Sequence, residues 1–72
     1  MRTNVYYVET TNDTEVVKIQ SEGYLFLPNE GDTLIHDGWG YIIDRKEFWY
    51  EQDVTKVMVY CTKERKRRAG NK

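Results

Sequence analysis

An Asp-Gly pair stands between two apolar, β-prone runs, Leu34-Ile35-His36 and Trp39-Gly40-Tyr41-Ile42-Ile43. A two-residue hairpin loop demands positive φ at both positions, which Gly adopts freely and Asp tolerates, so Asp37-Gly38 predicts a β-hairpin. Upstream, Pro28-Asn29-Glu30-Gly31-Asp32 ends one strand and begins another, because Pro28 has no N–H for a ladder and Gly31 permits a turn that other residues resist. Between the two reversals only Thr33 to His36 remains as strand. A meander this tight in a chain of 72 residues predicts an all-β fold, a small antiparallel barrel of five or six strands or a strongly bent sheet.

The rest of the chain fills in that outline. Asn4 to Thr10 reads as a strand with Val5 and Tyr7 on one face and Tyr6 and Val8 on the other. Large residues on both faces imply that one face is core and the other meets a partner or ligand. Thr11-Asn12-Asp13-Thr14 is turn chemistry, and Glu15 to Gln20 alternates with Val17 and Ile19 inward. Tyr24 to Leu27 is a short apolar strand stopped by Pro28. A long strand starts at Trp39 and runs to about Lys46. Tyr41 and Ile43 share one parity, Phe48 and Tyr50 the other, and a bulge repairs that slip while bending the strand. Glu51-Gln52-Asp53 is a polar turn. Val54 to Thr62 is the last strand, with Val57, Val59 and Cys61 on one face and Val54, Met58 and Tyr60 on the other. Thr62 to Arg68 is the one segment with any helical character.

Leu27, Pro28, Gly31 and Asp32, then Tyr41, Ile43, Lys46 and Phe48, then Val57 and Val59 form a pattern that resembles small phage and bacterial proteins with SH3-like barrels. The resemblance covers the second half of the chain. It implies the SH3-like form of the barrel and an origin in a mobile element, and carries no activity across.

A domain of this size has a thin core, so association into a homo-oligomer is expected. Cys61 is the only cysteine, which excludes an intrachain disulfide and points to a reducing, cytoplasmic setting. The polar N-terminus has no apolar leader region and no run is long enough to span a bilayer. The net charge of −1 hides an asymmetry. Residues 1–62, the expected barrel domain, carry five basic and eleven acidic side chains, whereas residues 63–72 carry six basic side chains and Glu64. The second segment is expected to be a basic, mostly disordered tail.

Catalytic chemistry finds few footholds. His36 and Cys61 supply at most two ligands where a zinc site needs about four. Cys61 alternates with Val57 and Val59 as a small core residue would, with no base beside it. The carboxylates Glu30, Asp32, Asp37, Asp44, Glu47, Glu51 and Asp53 are scattered over turns and edges. No Gly-rich phosphate loop is present, since Gly38-Trp39-Gly40 lacks the spacing and the following helix. The chain is therefore expected to be non-catalytic, with no cofactor.

Binding is better supported. Trp39, Tyr41, Phe48, Trp49 and Tyr50 lie within twelve residues, interleaved with Arg45 and Lys46. Flat rings beside cations suit a base and its phosphate. Tyr41 and Phe48 have core parity, leaving Trp39, Trp49 and Tyr50 to stack and Arg45 and Lys46 to pair with phosphate. The expected ligand is a nucleotide-like anion, which the resemblance extends to sequestration of a host signalling nucleotide. One competing reading makes the same aromatics core and dimer seam. Others make the chain a protein inhibitor or adaptor acting through its aromatic patch and sheet edges, or an RNA or DNA binder whose Lys63, Arg65, Lys66, Arg67 and Arg68 contact phosphates.

Overall fold

The computed structural model describes residues 2–22 and 27–67, the side chains of Lys66 and Arg67 excepted. Five strands, β1 (Arg2–Glu9), β2 (Thr14–Ser21), β3 (Thr33–His36), β4 (Trp39–Tyr50) and β5 (Val54–Arg67), form one sheet in the order β2-β1-β5-β4-β3. The sheet curls into a nearly closed barrel. The expected strand at Tyr24 to Leu27 lies, but for Leu27, outside the described residues. Among the described residues there is no helix long and apolar enough to cross a membrane.

Turn chemistry behaves as the sequence requires. Asp37 and Gly38 have φ of 55° and 82°, and β3 pairs with β4 from Thr33↔Ile42 to His36↔Trp39. At the other reversal the Asp32 amide donates to the Asn29 carbonyl, and the Asp32 carboxylate accepts from the Asn29 amide at 2.7 Å. The bulge in β4 falls at Asp44, since Ile43 pairs with Cys61 and Arg45 with Tyr60. Beyond it Lys46, Phe48 and Tyr50 share the face of Tyr41 and Ile43.

Two features depart from expectation. The β1/β5 ladder is parallel, from Arg2↔Val54 to Glu9↔Cys61, while the other ladders are antiparallel. It is the one ladder that no hairpin turn dictates. Second, the basic segment does not begin as a tail or a helical turn at residue 63. β5 continues through it to Arg67, which pairs with Trp39. The start of β4 offers a ladder to those residues, and a strand satisfies more backbone groups than a frayed end.

The core is Val5 and Tyr7 from β1, Tyr41 and Ile43 from β4, and Val57, Val59 and Cys61 from β5, with Val16, Val17, Leu27, Leu34 and Trp39 packed around them. Phe48 has core parity but is 47% exposed, so the expectation that it is core is corrected: it lies where β4 has run past its pairing with β3, which ends at Thr33↔Ile42.

Candidate ligand-binding surface

The convex face of the sheet is read from the registers. Across β2, β1, β5 and β4 the side chains form three rows: Glu15–Val8–Tyr60–Arg45, Lys18–Tyr6–Met58–Glu47 and Gln20–Asn4–Lys56–Trp49. Cations and rings interleave in them. The ammoniums of Lys18 and Lys56 lie 5.3 and 5.4 Å from the Tyr6 ring centroid, and the Arg45 guanidinium lies 4.2 Å from that of Tyr60. Trp49, 52% exposed, stands directly across from Lys56.

One corner of this face is fixed by polar bonds. Glu47 accepts from Arg45 at 2.6 Å and from the Tyr60 hydroxyl at 3.1 Å. The Arg45 bond first, then that of Tyr60, holds the Glu47 carboxyl below the usual carboxylate range. Burial, then the bond to Glu47, pushes the Tyr60 phenol up. The ion pairs formed among the described residues, Arg2–Glu22 and Arg45–Glu47, leave out both Lys18 and Lys56.

The sequence-predicted ligand residues do not converge. Arg45 and Trp49 lie on the convex face. Lys46 and Tyr50 lie on the concave face: the Lys46 ammonium donates to the Pro28 carbonyl at 2.8 Å, and Tyr50 stacks on Phe48 with centroids 6.5 Å apart. Trp39 lies at the opposite end of β4 with the Lys63 ammonium 4.0 Å from its ring centroid. Lys63 and Arg65 sit on the β5 extension, while Arg68 and the side chains of Lys66 and Arg67 fall outside the described residues. Tyr6, Lys18 and Lys56 escaped the sequence reading because each is on a different strand. The signal was the second face of β1, already marked by Tyr6 and Val8.

A separate cleft of about 350 Å³ follows the seam where the barrel edges β2 and β3 fail to pair. Glu9, Glu15 and Val16 line it together with His36, Asp37, Trp39 and Lys63. Glu9 is buried at the end of β1. Its two oxygens accept from the Asn12 amide at 2.9 Å and the Lys63 amide at 3.3 Å. Burial pushes this carboxyl up, but the backbone donors at Asn12, Lys63 and Thr11 outweigh it and hold it below the usual range. Cys61 is fully buried and its thiol is pushed up to about 11, by burial first and then by Glu9 and Asp44. A thiol so placed is inert at neutral pH. Among the described residues no group of three or more His, Cys, Asp or Glu side chains is disposed to hold a metal ion.

Comparison with known protein families, with curated proteins and with solved structures returned no match.

Proposed function

We propose that the protein is a non-catalytic binding module that holds a nucleotide-like anion on the convex face of its sheet. The observation that carries this reading is the placement of Lys18 and Lys56 over the ring of Tyr6. Two ammoniums drawn to one ring from the two strands that flank β1, neither in an ion pair among the described residues, leave positive potential beside an aromatic surface. A phosphate between them answers the charge, and a base stacks on Tyr6 or Trp49 for about 1–3 kcal/mol. The acidic balance of residues 1–62 opposes a long polyanion and favours a small ligand held in a local cationic patch.

Thermal unfolding with a panel of linear and cyclic nucleotides tests the reading. Phosphorylated ligands raise Tm, the uncharged nucleosides much less, and Lys18→Gln with Lys56→Gln lowers affinity at least about tenfold, ~1.4 kcal/mol. No rise in Tm at millimolar nucleotide contradicts it.

A second reading rests on a different feature. The core-face row Ile19–Val5–Val57–Phe48 is buried at its centre, while Ile19 and Phe48 at its ends are 37% and 47% exposed. Tyr50, stacked on Phe48, is 79% exposed. Such a patch suits a protein partner or a second copy of the chain. Light scattering that gives the monomer mass, and a Phe48→Ser variant that captures the same partners as wild type, would count against it.

A further inference from the structure

We propose that the outer edge of β4 over residues 45–51 joins two copies of the chain, each adding its strand to the other's sheet about a two-fold axis through Phe48. The inference rests on the second reading above, that a protein covers the exposed row ending at Phe48, and it names a second copy as that protein. The Glu51 amide donates to the Val54 carbonyl, closing the turn into β5. Alternation back from that bond directs the backbone of Trp49, Glu47 and Arg45 at β5, and that of Tyr50, Phe48 and Lys46 away from it. On that outer side the pairing stops at Ile43, whose amide and carbonyl bond Asp32 and Gly31. No strand among the described residues lies beside Lys46, Phe48 and Tyr50 there. Phe48, Trp49 and Tyr50 place three consecutive exposed rings along this edge, and no proline interrupts it. An edge so equipped invites another strand.

Charge selects both the partner and the register. A strand paired antiparallel with its own copy keeps its two faces matched only when the axis passes through a residue, since side chains alternate with period two. An axis at Lys46 or Glu47 sets two like charges face to face, and one at Trp49 sets Glu47 against Glu51. An axis at Tyr50 runs the strand into its own turn. With the axis at Phe48 no like charges meet. Arg45 faces the second copy's Glu51 on the convex side, while on the concave side Lys46 faces Tyr50 and Phe48 faces its own copy. Opposite charges and aromatic pairs directly across a ladder stabilise it. The Arg45 guanidinium bonds Glu47 at 2.6 Å and has further N–H donors to offer. Glu51 forms no ion pair among the described residues. The edge is therefore self-complementary: each copy supplies Arg45 at one end and Glu51 at the other, as an isologous interface requires.

The test measures the mass of the full-length protein by light scattering from micromolar to millimolar concentration, with circular dichroism to check that each variant folds. Wild type should reach the dimer mass and go no higher, because an edge joined to its own copy closes the assembly. Arg45→Glu and Glu51→Arg should each weaken self-association about tenfold, since both charge pairs become repulsive. Mixed in equal amounts, the two variants should pair with each other as tightly as wild type does with itself, because the changes complement one another across the axis. Phe48→Pro removes an N–H that faces away from β5, so the fold should persist and the dimer should be lost. This variant carries the test if a charge variant does not fold. A mass that climbs past the dimer overturns the inference, as do folded charge variants that fail to pair when mixed, or a dimer that Phe48→Pro leaves intact. A monomer mass throughout also overturns it, and the second reading falls with it only if Phe48→Ser captures the same partners as wild type.

Discussion

The Lys46 ammonium donates a 2.8 Å hydrogen bond to the Pro28 carbonyl, tying the concave side of β4 to the segment that leads into β3. In the same region the Gly31 amide donates to the Ile43 carbonyl and the Ile43 amide to that of Asp32. Lys46 therefore holds the connection rather than a ligand. Lys46→Met should cost about 2 kcal/mol, the worth of a hydrogen bond to a charged group, in urea unfolding. Nucleotide affinity should be unchanged, and a parallel loss of binding would return Lys46 to the ligand site.

Glu9 joins the β1–β2 turn to β5 through Asn12 and Lys63. Its carboxyl titrates lower in the folded chain than in the unfolded one. The stability it contributes is fully present above the unfolded value of about 4.3 and is lost as pH falls through the folded value. Glu9→Gln puts an amide NH₂ where one oxygen accepts, and should cost about 1–3 kcal/mol at neutral pH. Its stability should also fall less steeply than that of wild type below pH ~4, measured by urea midpoints across the acid range.

Cys61 titrates in the opposite sense. Its thiol is raised from 9.0 to about 11 in the folded chain, so the unfolded chain ionises first and stability declines as pH rises. The decline begins near pH 8.5 and amounts to at most about 3 kcal/mol by the folded value. Cys61→Ala should flatten this alkaline limb while lowering stability at pH 7 through the cavity it leaves. The phenols of Tyr7 and Tyr41, also pushed up by burial, keep a decline above pH ~10 in both proteins.

Asp44 is the extra residue that restores the phase of β4, and its carboxylate accepts from the Thr62 hydroxyl at 2.7 Å. Asp44→Gly keeps the bulge and should cost only about 1 kcal/mol, one hydrogen bond. Deleting Asp44 leaves residues 45–50 on their present faces, because Ile43 and Arg45 become neighbours as their partners Cys61 and Tyr60 already are. The deletion variant should keep a cooperative thermal transition, whereas deleting Arg45 as well sends residues 46–50 to the opposite faces, since strand side chains alternate with period two, and should abolish it. Loss of the cooperative melt on removing Asp44 alone would show that the bend at the bulge, and not the phase, is what β4 needs.

The hairpin and the bulge were legible because each is written locally: Asp37-Gly38 states its turn, and the parity slip between Ile43 and Phe48 requires one added residue. The parallel β1/β5 ladder was not, since its strands are far apart in sequence and no turn announces them. Only the matching inward series Val5, Tyr7 and Val57, Val59 hints at it. The aromatic-rich run Trp39–Tyr50 drew attention by density, yet alternation sends neighbours such as Trp49 and Tyr50 to opposite faces. Tyr6, Lys18 and Lys56 meet only because β1 is flanked by β2 and β5. Glu9 was missed although it continues the inward series Val5, Tyr7, and an acid in a core register is itself a signal.

The central claim is that the convex face, and not the aromatic run as a unit, receives the nucleotide-like ligand. Chemical-shift mapping of the labelled protein with the nucleotide that most raises Tm tests it most directly. The largest changes should fall on Tyr6, Lys18, Lys56 and Trp49, on four strands that are distant in sequence. Changes confined to Trp39, Lys46 and Tyr50, or none at saturating nucleotide, would contradict it.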